Sequence, residues 1–422
     1  MNNTKTIIFD LGRQPLLGYA ELSRVFGASA SLISPSVASV TLPANTPTPL
    51  ISSFGGSKKS GILISRAPLG SFRNLGDFFD PALAFIKNNL PPGAGRISLG
   101  ISLLGNVPSG ITPTQIIKLQ GKIKNALGKL DVKTRFIEPR SLELSTAISH
   151  HNKLGLSPNK IELLIVFSDK EVILAFSTGA QNITAYASRD QNRPFRSAQN
   201  GMLPPKLAQI VINLAIGSKK HSGQETGGRE MSPGRNDSWS TPLTILDPFC
   251  GSGTILQESL MMSLAAYGTD KNPKMPSESQ KNIDWLRGKY HYLPDCRTEV
   301  ADATNYKWHA PFDAVASEIY LGPPMSQIPV PIKLKAATHE VENILHGFLS
   351  NISPQIKPGF TLCLAVPAWN DGKNGFSRLD SLDILERVGY NRISISGISD
   401  EDLIYHREGQ IVGRELLVLE KK

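Results

Sequence analysis

The chain has 422 residues, 40% hydrophobic and 19% charged, ordinary proportions for a folded protein that can bury sizeable cores; global disorder is excluded. That length exceeds one typical domain and predicts two or three. The net charge of +9 favours an anionic partner, and the three cysteines, Cys250, Cys296 and Cys363, have no CxxC spacing, so neither a disulfide framework nor a zinc site is expected.

A reducing, cytoplasmic setting fits this cysteine usage. The opening MNNTKTIIFDLG lacks a basic segment followed by a long apolar run, and no stretch of about 18 apolar residues occurs, so neither a signal peptide nor a membrane span is expected.

In chain order, residues 6–11 form a β-rich run, and 16–26 have helical spacing through Leu16, Leu17, Ala20, Leu22 and Val25. Short strands follow over 37–42 and 62–65, then an amphipathic stretch over 78–90 that the Pro-Pro-Gly-Ala-Gly run from Pro91 terminates. From Arg96 the pattern is regular: strand 96–104, helix 112–130, strand 134–137, helix 142–154, strands 161–167 and 171–176, together a compact α+β unit. Residues 201–215, GMLPPKLAQIVINLA, predict a helix with its prolines in the first turn, where missing amide donors cost least. Residues 216–241 are rich in Gly, Ser, Lys and Arg and poor in apolar side chains, which predicts a mobile surface loop. Beyond it, strands over 243–246, 266–268, 298–300, 312–316 and 360–366 alternate with helices and specify a parallel sheet. The end, 392–396 with 411–419, predicts an antiparallel pair.

The run LTILDPFCGSGT, residues 243–254, carries the chemistry. A strand feeds Asp247, a turn passes through Pro248, Phe249, Gly251 and Gly253, and a helix starts at Thr254, so the backbone can approach a ligand closely at a helix N-terminus. Asp270 ends the next strand 23 positions after Asp247 and is placed to accept from ribose hydroxyls. Asp302, with Ala303 beside it, follows the third strand and is placed to meet an adenine amine. GxGxxG spacing is missing, which weighs against a dinucleotide site; an ordinary α/β turn with solvated carboxylates is the plain structural alternative.

DPFCGSGT, followed by GTD and preceded by RDQNRPFRSAQNGMLPPKLAQIVINLA, resembles the THUMP-domain tRNA guanosine N2-methyltransferases. IIFDLGRQPLLGYAEL resembles that family's opening, and the strand–helix order from Arg96 to Phe176 is similar to its THUMP module, so the resemblance extends over most of the chain. It implies a multidomain α/β and α+β protein: a ferredoxin-like part at 1–75, a THUMP-like RNA-binding module at 76–180, a basic connector at 181–200, and at 201–422 a class I, Rossmann-like methyltransferase domain with a seven-stranded, mostly parallel sheet. It also implies S-adenosyl-L-methionine as methyl donor, tRNA as partner, and methylation of the exocyclic N2 amine of a guanosine at position 10. Displacement from a sulfonium requires no metal. An activating partner subunit stays open.

In that family the fourth strand ends in an Asp-Pro-Pro-Tyr or Asn-Pro-Pro-Tyr tetrad. Here the corresponding run is Glu318-Ile319-Tyr320-Leu321-Gly322-Pro323-Pro324, and the tetrad is absent. The guanine amine lone pair is delocalised, and acceptors on its protons localise it toward the methyl, while an aromatic face stacks the base. Glu318 is the candidate acceptor, the Ile319 carbonyl a second one, and Tyr320 the stacking ring; a surface carboxylate and a packed tyrosine are the alternatives. Residues 317–324 contain no cysteine, which argues against a thiol-dependent attack on pyrimidine carbon, and Cys250 reads as a small packed residue.

For RNA contact, Lys118 and Lys122, with Lys129, lie near one face of the predicted helix from Thr112, and Arg189, Arg193 and Arg196 cluster in the connector. For the lysines a solvated helix face is the favoured alternative, because lysines are commonplace on exposed helices. His150, His151, Trp308, Trp369 and the run Tyr405-His406-Arg407 have no role-assigning spacing, and packing is expected for each. Two other readings stay open: an amino-methyltransferase acting on rRNA or DNA, and a tRNA-binding protein whose catalytic loop has degenerated.

Overall fold

The computed structural model describes residues 3–91, 93, 95–196, 202–220, 242–325, 327–373 and 375–422. They divide into two units, Met1–Ala185 and Tyr186–Lys422.

In the first unit, β1 (Thr4–Leu11), α1 (Pro15–Phe26), β2 (Ala30–Ser34), β3 (Val37–Pro43) and β4 (Ser57–Pro68) are followed by α2 (Phe79–Asn89), β5 (Ile97–Gly105), α3 (Pro113–Gly128), β6 (Thr134–Phe136), α4 (Thr146–His151), β7 (Lys160–Phe167) and β8 (Glu171–Ala180). The eight strands form one sheet in the order β2-β3-β1-β4-β8-β7-β5-β6. Strand β7, KIELLIVF, is apolar from Leu163 to Phe167 and buried from Ile161 onward, as a strand covered on both faces should be, its one buried charge, Glu162, being paired with Lys59.

The family resemblance implies a boundary between residues 75 and 76, and both expected parts share this sheet. Strand β4 is longer than the 62–65 run suggests and pairs with β1 over 57–62 on one edge and with β8 from Lys59↔Ala180 to Pro68↔Glu171 on the other, so 59–62 are held on both edges. The helix expected over 142–154 shrinks to α4, which Ser145 caps by accepting the Ile148 N–H.

α5 (Ile183–Gln191) runs across the division between units. The second unit continues with α6 (Pro205–Ile216), β9 (Thr244–Asp247), α7 (Thr254–Met261), β10 (Ala265–Asp270), α8 (Lys274–Lys289), β11 (Cys296–Val300), β12 (Ala314–Glu318), α9 (Pro331–Ile352), β13 (Thr361–Asn370), β14 (Phe376–Ser377), α10 (Ser381–Arg387), β15 (Tyr390–Arg392), β16 (Ile404–Tyr405) and β17 (Val412–Lys421). Of the loop expected over 216–241, Ile216 instead closes α6 and 217–220 form a 3₁₀ turn, while 221–241 lie outside the described residues.

The main path of the second sheet is β11-β10-β9-β12-β13-β17-β15, with β14 and β16 on its margins. Strands β9 to β13 on this path are mutually parallel, and β17 is antiparallel to both β13 and β15. Leu246, Val315, Leu364 and Leu417 of the sheet bury against Val341, Leu345, Phe348 and Leu349 of α9. α7 and α8 contribute Leu256, Leu260, Ile283 and Leu286 to a second cluster that includes Cys250. The order reverses between β9 and β12, and in such sheets the crevice beyond the carboxyl ends of the strands at that reversal takes ligands. Asp247 and Glu318 stand at those two strand ends.

Candidate functional site

The turn after β9 is shaped by two left-handed glycines, Gly251 at φ +49° and Gly253 at φ +85°, a region that costs other residues about 1–2 kcal/mol. Open space surrounds the position a Cβ would take on Gly251, whereas one on Gly253 would stand 2.8 Å from Ser279 Oγ. Ser279 Oγ donates to Gly251 O at 2.7 Å, and Gly251 N–H donates to Asp270 Oδ2 at 3.0 Å. α8 and the end of β10 thus hold the turn from both sides.

Asp247 is buried and accepts from Ser317 Oγ at 2.5 Å and Phe249 N–H at 3.3 Å. Burial lifts its pKa to about 7 against the lowering effect of those two bonds. Burial also raises Asp270, whose oxygens accept the Gly251 and Asn272 amides. Asp302 is held low by the Thr304 hydroxyl and amide, at 2.7 and 2.9 Å. Three carboxylates therefore follow three adjacent parallel strands; the bonds to Asp247 and to Asp302 all fall on Oδ1, leaving Oδ2 of each outside them, while each Asp270 oxygen takes one amide and keeps a second lone pair for a ligand hydroxyl.

The remaining expected cradle residues divide. Phe249 packs its ring edge-on to Phe348 at 5.4 Å, and Ala303 is buried in the core with its carbonyl accepting from Asn351 Nδ2. Pro248 is buried, its carbonyl accepting from Thr269 Oγ1 at 3.4 Å. Thr254 is buried with Oγ1 accepting from Arg193 Nη1 at 2.7 Å.

At the end of β12, Ile319 turns its side chain into the core and donates its N–H to Ala365 O at 3.1 Å. Tyr320 is 38% exposed, and burial together with the neighbouring Glu340 raises its phenol. Between the two tyrosine and serine positions stands Glu318, whose Oε1 accepts from Arg414 Nε at 2.7 Å. Burial raises the Glu318 carboxyl above the ordinary range, and Arg414 pulls in the opposite direction without cancelling it.

Two of the expected RNA contacts are corrected. Arg189 is buried in a paired interaction with Glu258, Nε to Oε1 at 2.6 Å and Nη2 to Oε2 at 2.9 Å, which leaves no exposed guanidinium for phosphate. Arg193 is buried on Thr254, with Nη2 against Met202 Sδ at 3.1 Å. The connector is part of the cradle's wall: Phe195 N–H donates to Asn282 Oδ1, while Asn282 Nδ2 donates to both Phe195 O and Ser252 O. Arg196 is exposed. So are Lys118 and Lys122 on α3, opposite the face formed by Ile116, Leu119, Ile123 and Leu127. Trp308 and Trp369 are buried, as expected.

Sequence reasoning missed Ser317 as a partner of Asp247, Asn282 as the clip on the connector, and Arg414 as the partner of Glu318. Arg414 lies 96 positions from Glu318, and no local pattern joins them.

The path with its first-occurring strands in the order third, second, first, fourth, fifth, seventh, sixth, only the seventh antiparallel, closed by a glycine turn after the first strand, is the class I methyltransferase fold. The family resemblance read from the sequence is matched by two curated proteins, both named tRNA (guanine(10)-N2)-dimethyltransferase. The protein from Methanothermobacter thermautotrophicus is 27% identical over 185 residues, 44% of each chain. The one from Pyrococcus abyssi is 25% identical over 198 residues, 45% of this chain and 44% of that protein. The chain thus spans less than half the length of the curated relatives it matches. Among solved structures, TrmN from Thermus thermophilus aligns over 99% of this chain and 100% of that one, at 16% identity and a TM-score of 0.45. No family model matches the chain.

Proposed function

We propose that this protein transfers a methyl group from S-adenosylmethionine to the N2 amine of a guanosine in tRNA, at position 10. The observation that carries the reading is the convergence, at the sheet's reversal, of the glycine turn after Asp247 with Glu318, the two strand ends joined by the Ser317–Asp247 hydrogen bond. The target base and position follow the names of the two curated relatives. A cytoplasmic setting belongs to the same proposal; among the described residues no helix is long and apolar enough to cross a membrane.

The cradle suits a nucleoside sulfonium. Open space over Gly251 admits close approach, Asp270 and Asp302 offer acceptors for ribose hydroxyls and an adenine amine, and Asp247 lies beneath the turn. When bound, S-adenosylmethionine supplies an electrophilic methyl. The guanine N2 lone pair forms the new N–C bond as the S–CH₃ bond breaks, and the amine then loses one proton. Glu318 Oε2, which accepts from no described residue, receives an N2 hydrogen bond before transfer and is the first station for that proton. Tyr320, part exposed beside it, stacks the base.

The test is mass spectrometry of nucleosides from tRNA incubated with protein and S-adenosylmethionine, with rRNA fragments and duplex DNA in competition. N2-methylated guanosine from tRNA is expected, and Glu318→Gln is expected to reduce it by about 10²-fold or more. Product on another base, or on DNA or rRNA in preference, overturns the assignment; an unchanged rate in Glu318→Gln removes Glu318 from the chemistry.

A further inference from the structure

We infer that Arg414 is a positioning residue of the acceptor site, holding the Glu318 carboxyl as an aimed anion so that it receives, rather than gives, a hydrogen bond. This rests on the reading of Glu318 as the amine acceptor.

Arg414 belongs to β17, two strands away from β12 with β13 between them. Glu318 pairs with Ala365 and Arg414 with Pro367, so the two side chains rise from the same face of the sheet and meet over β13, Nε to Oε1 at 2.7 Å. Arg414 is only 4% exposed, which makes it a fixed wall and not a surface cation that swings into solvent. Its neighbour Glu415 does not compete for it. Successive residues of a strand face opposite ways, and Glu415 is engaged by Arg378 and Arg392.

The arrangement answers a chemical problem. A glutamate has one more rotatable bond than an aspartate and here is preceded and followed by no proline, so its carboxyl needs a tether to keep one orientation. It also sits where burial favours the neutral acid, and a protonated carboxyl donates on one oxygen instead of accepting. Among the described residues, the charged and titratable groups that act on it are Arg414 from β17 and Asp247 from β9, whose own carboxyl is pushed up in part by Glu318, while Glu340 of α9 acts on the neighbouring Tyr320. The Asp247 carboxylate opposes ionisation of Glu318. Arg414 is the group that favours it, and it does so by occupying Oε1 while Oε2 is left to the substrate.

The test compares the native chain with Arg414→Met, Arg414→Lys and the double change Arg414→Met with Glu318→Gln. The Glu318 carboxyl carbon is followed by ¹³C NMR in glutamate-labelled protein, its signal assigned by its loss in Glu318→Gln. Arg414→Met is expected to raise the Glu318 titration midpoint by at least about one pH unit and Arg414→Lys to leave it near native. In kinetics, Arg414→Met should lower kcat by about 10²-fold with the acid limb of its pH profile moved upward, while KM for tRNA and the Kd for S-adenosylmethionine change less than about threefold. The double change should be no slower than Glu318→Gln alone. An unmoved midpoint in folded Arg414→Met, or a loss of cofactor and tRNA binding parallel to the loss of rate, overturns the inference. Should Arg414→Met fail to fold, Arg414→Lys and the double change carry the comparison. A native chain that methylates no RNA sinks the functional reading instead, and the NMR titration still decides whether Arg414 governs the carboxyl.

Discussion

Arg189 and Glu258 face each other in a two-pronged buried ion pair that ties α5 to α7, the helix rising from the glycine turn. Gln209 of α6 adds a bond to Glu258 Oε2 at 2.9 Å and accepts the Tyr186 hydroxyl at 2.6 Å, so three helices share one polar junction. With side chains only 5% and 1% exposed, the pair is shielded from solvent, and removal of one partner strands a charge.

Arg189→Ala is therefore expected to cost about 3–5 kcal/mol of stability in urea unfolding. Its effect on tRNA affinity should be small at temperatures where the variant is folded, because no phosphate contact is lost. A variant that unfolds like the native chain but binds tRNA with a shallower salt dependence would return Arg189 to the RNA surface.

Asp247 makes stability depend on pH in a defined direction. Its pKa is raised to about 7 in the folded protein from 3.8, chiefly by burial. The native state therefore binds the proton more tightly than the unfolded chain, and the favourable contribution present below about pH 4 is lost as pH rises toward 7. Asn cannot ionise, so Asp247→Asn should gain stability relative to the native chain across that window, at up to about 1.4 kcal/mol per pH unit. Trp285, Trp308 and Trp369 belong to the second unit, and their fluorescence reports its unfolding. Asp10, raised to about 7 in the first unit, contributes the same slope to both proteins and cancels. A constant difference between the two proteins from pH 4 to 8 rejects the raised pKa.

Two glycines at the cradle predict opposite phenotypes. A methyl on Gly268 would come within 2.5 Å of Leu256 Cδ1 and 3.1 Å of Cys250 Cβ, in a closed cluster. Gly268→Ala should cost about 1–3 kcal/mol by overpacking. A methyl on Gly251 meets nothing within 4 Å, and its cost is the left-handed backbone, about 1–2 kcal/mol. It projects into the open space of the turn, so calorimetric titration should show S-adenosylmethionine binding weakened about tenfold or more. Native affinity in a folded Gly251→Ala would move the cofactor away from the turn.

The parts of this molecule legible in the sequence are those with a local signature. The strand–turn–helix of LTILDPFCGSGT, the acids ending β9 and β10, and the alternation of strands and helices beyond residue 243 are all written within short windows, and they recover the methyltransferase-type sheet. What escaped was set by long-range pairing. The union of residues 1–75 with 76–180 depends on β4 meeting β8 more than 100 positions later. The arginines of the connector look alike in the sequence, yet Arg189 and Arg193 are claimed by Glu258 and Thr254 on α7 while Arg196 is not buried. A cationic cluster reads as a phosphate surface until its buried acceptors are known.

Of the cations expected to contact RNA, Arg196 in the second unit and Lys118 and Lys122 on α3 of the first are exposed. An exposed cation that neutralises one phosphate releases about 0.9 counterion from duplex RNA or DNA-like charge density. Each of Arg196→Ala, Lys118→Ala and Lys122→Ala should therefore weaken tRNA binding and reduce the slope of log affinity against log salt by about one where the contact exists. Because none of the three touches the glycine turn or Glu318, kcat at saturating tRNA should hold while KM rises. The lysines carry a sharper contrast with each other than with Arg196: they sit four residues apart on one exposed helix face, so a phosphate track along α3 should make their double substitution roughly additive in the salt slope. A slope unchanged by the double substitution identifies that face as merely solvated and leaves Arg196 to account for the connector's share of binding.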